Sequence, residues 1–353
     1  MIRVVVVDDS PVALKILQTI IEVDGDIVVA ATAADGILGW QCIQELQPDV
    51  VCTDYHMPNM NGLALVQTVM SQHPLPILVI SVSVEEDTND TTILQVLQAG
   101  AMDILAKPQG GPNIRNHRWG RQLRQKIRVL SNAKPLNLIR RPSLLESKTD
   151  VTPKKAIANT GGIIVLGAST GGPLALTRIL QALPGDFSWP VICVQHIGSS
   201  FLPGLVTWLG KATPLPIVHA QTGDRPRPGT VYFPPPAADL SVSEMGQFRC
   251  HPHDPGQEGM SSFSIDLTFK SLARCFQSSV LGILLTGMGS DGARGLLDIR
   301  RQGGATIAQD EASSVVFGMP HQAIELGAAQ TVLSLDDIPG AILAWCKTGR
   351  LLC

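Results

Sequence analysis

The chain has 353 residues, 44% of them apolar, enough for about two independently packed domains. Its 27 basic and 30 acidic residues leave a net charge of −3, which argues against a strongly basic nucleic-acid coat and against an acidic solvating tail. Seven cysteines without a C-x-x-C pair argue against a disulfide scaffold or a cysteine zinc site and for a reducing compartment.

The apolar run Ile2–Val7 is followed at once by Asp8-Asp9, too short and too early an acid pair for a signal peptide. No stretch approaches the roughly 18 apolar residues of a membrane span, so no membrane insertion is expected and the cytoplasm is the expected location. Further β-branched runs follow at Ile27–Ala30, Val50–Thr53, Pro76–Ser81 and Asp103–Ala106. Helical patterns such as Val12–Ile21 and Leu63–Met70 lie between them. Strand and helix in alternation predict a parallel sheet with helices on both faces. Residues 1–125 form this first domain. Residues 126–158 read as a linker, basic and broken by Pro135, Pro142 and Pro153, with Glu146 and Asp150 its only acids. Residues 159–350 return to the strand–helix rhythm, with strands at Ile163–Leu166, Val191–Gln195, Val280–Leu285 and Ala305–Ala308. Helices are expected at Leu174–Leu183, Ile265–Phe276 and Ala293–Arg301. The Pro- and Gly-rich stretch 214–262, with short runs at Thr230–Phe233, Leu240–Val242 and Gln247–His251, predicts an inserted antiparallel ribbon.

In an open parallel sheet the carboxyl ends of the strands form the functional crevice. In the first domain those ends carry Asp8-Asp9-Ser10, Asp54, Ser81 and Lys107-Pro108. Carboxylates that converge repel one another unless a cation sits among them, and oxygen ligands suit Mg²⁺. A carboxylate nucleophile, a cation site, a hydroxyl and an ammonium suit phosphoryl transfer onto an acid. The motifs VVDDS (6–10), DYHMPNMNG (54–62), SVS around Ser81, GAMD (100–103) and KP (107–108) resemble those of response-regulator receiver domains. The resemblance implies that Asp54 is the phosphoacceptor. It implies a Mg²⁺ site of Asp8, Asp9, Asp54 and the backbone carbonyl of His56. Ser81 and Lys107 would touch the phosphoryl group, and Lys107-Pro108 would be a cis bond. Ile104 departs from the aromatic residue common at that position.

In the second domain, Gly167-Ala168-Ser169-Thr170-Gly171 fits G-x-S-x-G between a strand and a helix, a turn that would lift the Ser169 hydroxyl at a strand end. A Gly-rich phosphate turn is the competing interpretation. Ser169, however, stands where the second glycine of G-x-G-x-x-G belongs, and the next strand ends in His196 rather than in an acid for a ribose. Asp291 follows the run that ends in Leu284-Leu285, where it could also serve as a helix N-cap. Hydroxyl, imidazole and carboxylate all just past buried strands are the parts of a nucleophile, a base and its orienter. Their chain order, Ser then His then Asp, matches none of the familiar hydrolase orders. By contrast, the cluster His251-Pro252-His253-Asp254 and the proline-flanked Arg225 and Arg227 read as solvated loops.

GASTGG (167–172), VQHI (194–197), LLTGMGSDGA (284–293) and QDEASSVVFGMP (309–320) resemble the catalytic domain of the chemotaxis protein-glutamate methylesterases, the CheB family. The resemblance spans nearly the whole chain. It implies two doubly wound α/β domains: a flavodoxin-like receiver, then a Rossmann-like methylesterase domain, joined by the basic linker. It implies Ser169 as nucleophile, His196 as general base and acid, and Asp291 as orienting carboxylate. Thr170 and Met288 would stabilise the oxyanion or wall the site. The implied activity is hydrolysis of glutamate γ-methyl esters, and deamidation of glutamine, on chemoreceptor helices. A chemotaxis histidine kinase would be the phosphodonor. No cofactor is expected for the esterase chemistry, and no nucleic-acid partner. Two segments depart from the family pattern, around Asp239 and at Phe263-Ser264-Ile265-Asp266. The competing function is a response regulator whose second domain binds a partner without catalysis. A dinucleotide-dependent oxidoreductase is disfavoured by the missing fingerprint.

Overall fold

The computed structural model describes residues 1–81, 94–107, 118–133, 161–253 and 263–349. The strand runs Ile2–Val7 (β1), Ile27–Ala33 (β2), Val50–Thr53 (β3), Ile77–Ser81 (β4) and Asp103–Ala106 (β5) pair in parallel in the order β2-β1-β3-β4-β5. Parallel neighbours cannot be joined by a tight turn, so each step needs a crossover. Helices α1 (Pro11–Ile21), α2 (Gly36–Leu46), α3 (Gly62–Gln72) and α4 (Gln95–Ala99) supply these crossovers. Ser10, Asp35 and Asn61 cap the first three, each side chain accepting a backbone N–H of the first turn. α5 (Arg118–Leu130) buries Trp119, Leu123, Ile127 and Leu130 against the sheet. It runs past the boundary at 125 drawn from the sequence, because Leu130 belongs to the same core.

The second half begins with Ile163–Ala168 (β6), α6 (Gly172–Gln181), Val191–Gln195 (β7) and α7 (Leu202–Ala212). Ile217–His219 (β8) and Val231–Phe233 (β9) follow, then the hairpin Ala238–Val242 (β10) and Phe248–Pro252 (β11). The chain ends with α8 (Ile265–Phe276), Val280–Leu284 (β12), α9 (Ala293–Arg301), Ala305–Gln309 (β13), α10 (Met319–Glu325), Thr331–Leu333 (β14) and α11 (Ile338–Thr348). Seven strands make one parallel sheet, in the order β14-β13-β12-β6-β7-β9-β8.

The ribbon expected within 214–262 is only partly right. β10 and β11 are antiparallel, as expected. Val231–Phe233 instead joins the main sheet, parallel to β7 and β8. All three of its side chains are buried, the mark of a strand covered on both faces.

The strand order reverses at β1/β3 in the first sheet and at β6/β12 in the second. At such switch points the loops diverge and open a crevice. Asp8 and Asp54 follow the first pair of strands, Ser169 and Asp291 the second.

Candidate active site

The sheet ladder continues into the site. His196 N donates to Ala168 O (2.9 Å), Leu285 N to Gly167 O (2.8 Å) and Ser169 N to Thr286 O (3.0 Å). Ser169 is thus pinned between the ends of β7 and β12. Gly171, at φ +78°, turns the chain into α6, where a Cβ would strike Val315 at 2.6 Å.

His196 Nε2 lies 2.9 Å from Asp291 Oδ2. The carboxylate is itself fixed. Oδ2 also accepts Ile265 N (2.8 Å), and Oδ1 accepts Asp266 N and Gly292 N (both 3.0 Å). Burial works to raise the Asp291 carboxyl, but the His196 hydrogen bond and charge and these amides outweigh it and hold it below the ordinary range. An ionised acceptor on Nε2 keeps the proton there and leaves the Nδ1 lone pair able to accept one. No hydrogen bond joins Ser169 Oγ to the imidazole among the described residues. Both line a single cavity of about 140 Å³, with Met288 beside them.

The receiver supplies the other wall. Ile104 and Ala106 of β5 and Gln122 and Lys126 of α5 line that cavity. Thr170 Oγ1 donates to Asp103 Oδ2 at 2.5 Å, and the same oxygen binds Lys126 Nζ. Thr170, expected at the oxyanion, therefore spends its hydroxyl on the receiver. Val315 and Val316 belong to the same buried cluster as the receiver's Leu105 and Trp119. Gln122 Oε1, at this junction, is buried without a partner among the described residues.

At the other site, single oxygens of Asp8, Asp9 and Asp54 lie within 4.8 Å of one another. Lys107 Nζ sits 2.7 Å from Asp8 Oδ2 and 2.6 Å from Asp54 Oδ2. Burial pushes the Asp8 carboxyl up, with Lys107 opposing. Burial disfavours the Lys107 ammonium, yet Asp54 and Asp8 hold its pKa above the ordinary value. One ammonium cannot balance three carboxylates, so the donor set suits an oxygen-seeking divalent cation. Ser81 Oγ, at the end of β4, is buried without a hydrogen-bond partner among the described residues. Pro108, and with it the expected cis bond, and Asp254 lie outside the described residues.

Two partners were not assigned from sequence. Asp103 stands in the GAMD motif, at the end of β5 away from Lys107 and Asp54. The departing segments also meet, since Ser264 N donates to Asp239 Oδ1 (2.7 Å) and His253 Nε2 lies 3.4 Å from the same oxygen. They stand behind Asp291, through Ile265 and Asp266. The free cysteines among the described residues form no disulfide. No helix among those residues is long and apolar enough to cross a membrane.

The response-regulator receiver family model matches residues 4–117 and the CheB methylesterase model residues 164–342. The chain is 36% identical over 342 residues to protein-glutamate methylesterase/protein-glutamine glutaminase 4 of Geobacter metallireducens, covering 97% of this chain and 98% of that one. It is 39% identical over 345 residues to protein-glutamate methylesterase/protein-glutamine glutaminase 3 of Myxococcus xanthus, covering 98% and 94%. The crystal structure of the Thermotoga maritima CheB methylesterase catalytic domain is 34% identical, with TM-score 0.49, covering 52% of this chain and 98% of that one. On matches of this identity and extent, the chain belongs to the CheB methylesterase family, with a response-regulator receiver domain ahead of its methylesterase domain.

Proposed function

We propose that this protein is a phosphorylation-controlled serine esterase that hydrolyses glutamate γ-methyl esters, and deamidates glutamine, on the cytoplasmic helices of chemoreceptors. The observation that carries it is the 2.9 Å pair of His196 with Asp291, beside the cavity that Ser169 shares. The relatives' names supply the substrate class. In this reading His196 Nδ1 takes the Ser169 proton as Oγ attacks the ester carbon. Asp291 steadies the imidazolium. No acceptor among the described residues takes the Thr170 N–H, which leaves that amide for the developing oxyanion. The imidazolium then protonates the leaving methoxide, and methanol departs. Water, deprotonated by His196, splits the acyl-enzyme to the free glutamate. A glutamine side chain follows the same steps with ammonia as leaving group. Incubating phosphorylated protein with methylated receptor peptides tests this by mass spectrometry. A loss of one methyl group per modified glutamate is expected, and an unchanged spectrum refutes the activity.

Asp54 is the proposed phosphoacceptor, a chemotaxis histidine kinase its donor, and Asp8, Asp9, Asp54 and the His56 carbonyl the proposed Mg²⁺ ligands. Bound there, Mg²⁺ neutralises phosphoryl oxygen charge. Lys107 and Ser81 would receive the remaining oxygens. β5 links the two sites, since Lys107 follows its carboxyl end, Ile104 and Ala106 wall the cavity, and Asp103 begins it on Thr170. A phosphoryl group that draws Lys107 away from its present partners would pull on this strand and open the cleft. If the Asp103 contact is worth about 1.5 kcal/mol, as hydrogen bonds to charged groups are, losing it shifts the closed–open balance about tenfold. Asp103→Ala should then raise methanol release by unphosphorylated protein about tenfold and shrink the gain on phosphorylation. Equal rates with and without Asp103 would overturn the masking.

A further inference from the structure

Resting on the esterase reading, we infer that Gln195 is a positioning residue that sets the distance between nucleophile and base. Its side chain is 1% exposed, at the end of β7, one residue before His196. Nε2 donates to Ser169 O at 2.8 Å and to His196 O at 2.9 Å. One amide therefore clamps the main chain of the nucleophile to that of the base, across two strands. Ser169 O also accepts Gly172 N at 2.8 Å, so the clamp closes onto the nucleophile turn itself.

The other end of the amide makes the role specific. Gln195 Oε1 is buried with no hydrogen-bond partner among the described residues. A buried acceptor left empty opposes folding, and an apolar side chain of the same length would avoid that cost. Stability alone does not account for an amide here, whereas the two donated bonds do. Gly172 belongs to the same device. A Cβ there would lie 2.0 Å from Oε1 and 2.7 Å from Ala168 Cβ, so the last glycine of GASTGG leaves room for the amide and for the end of β6. With no Ser169–His196 hydrogen bond preformed, the reacting atoms depend on main-chain placement, and small misplacements are costly to rate.

The test uses full-length protein, phosphorylated with acetyl phosphate, and two readouts. One is the rate of Ser169 labelling by a fluorophosphonate; the other is kcat and KM for methanol release. Gln195→Met keeps length and packing and removes both donors. It is expected to slow labelling and lower kcat by about tenfold or more, with KM within about twofold, in protein that still unfolds cooperatively. Gly172→Ala, which displaces the amide while leaving Gln195 intact, should give the same kcat-selective loss, and it serves where the first variant does not fold. Wild-type labelling speed and kcat in Gln195→Met or in folded Gly172→Ala would overturn the positioning role and leave the esterase reading standing. Wild-type protein that neither labels at Ser169 nor releases methanol would overturn both.

Discussion

Replacing Ser169 with Ala is expected to reduce methanol release by about 10⁵-fold or more, the scale seen when a triad nucleophile is removed. The reason is chemical. His196 can still take a proton, but no side-chain oxygen remains to form the acyl-enzyme. Folding should survive, because Ser169 Oγ makes no hydrogen bond among the described residues and the turn is held by main-chain groups that Ala retains. Stability is expected to change by less than about 0.5 kcal/mol. Methanol assay and thermal unfolding on the same preparation separate the two effects. Substantial turnover by a folded variant refutes Ser169 as nucleophile.

Asp291→Asn should cost about 10³–10⁴-fold in kcat, for a different reason. All four anchoring contacts of this carboxylate are donors: His196 Nε2 and Ile265 N on one oxygen, Asp266 N and Gly292 N on the other. An amide has only one oxygen. If that oxygen serves Asp266 and Gly292, the NH₂ faces His196 and forces the ring proton onto Nδ1. The nitrogen that must accept the serine proton is then occupied. The NH₂ also meets the Ile265 N–H, so about 1–2 kcal/mol of stability should be lost as well.

The pH dependence follows the same carboxylate. Asp291 is held below its ordinary value of 3.8, so on acidification the unfolded chain binds this proton first. Its stabilising contribution is complete above that value and disappears as pH falls through the folded one. Asp291→Asn should therefore be destabilised at neutral pH yet lose less further stability on acidification. Urea unfolding of both proteins at neutral pH and near pH 3 measures this. Parallel losses would show that the carboxylate is not held in its ionised form.

Much of the fold was legible because buried parallel strands read as unbroken apolar runs. Ile2–Val7, Val50–Thr53, Asp103–Ala106 and Val191–Gln195 carry the same bounds in sequence and structure. The short strands were harder. Ile217–His219 and Thr331–Leu333 lie at sheet edges, each with an exposed central residue, and three such residues hold too little pattern to separate strand from loop. Val231–Phe233 was legible as a strand, but not as a member of the main sheet, since its partners lie on either side of a helix and a loop.

The chemistry divides in the same way. Asp8, Asp54, Ser169, His196 and Asp291 could be selected from the sequence because each follows a strand run, and strand order alone brings such ends together. Gln195 could not, since a polar residue closing a strand reads like any solvent-facing group until its two acceptors are seen. Asp103 could not either. It lies at the opposite end of β5 from Lys107 and makes its contact only where the receiver meets Thr170. The sequence by itself determined two runs of alternating strand and helix and the polar residues that follow their strands, because burial and crossover rules act along local stretches of chain. Only the tertiary structure decided that one domain walls the other's cavity and that one amide joins the main chains of Ser169 and His196. Those contacts join distant segments through packing geometry, which no local pattern encodes.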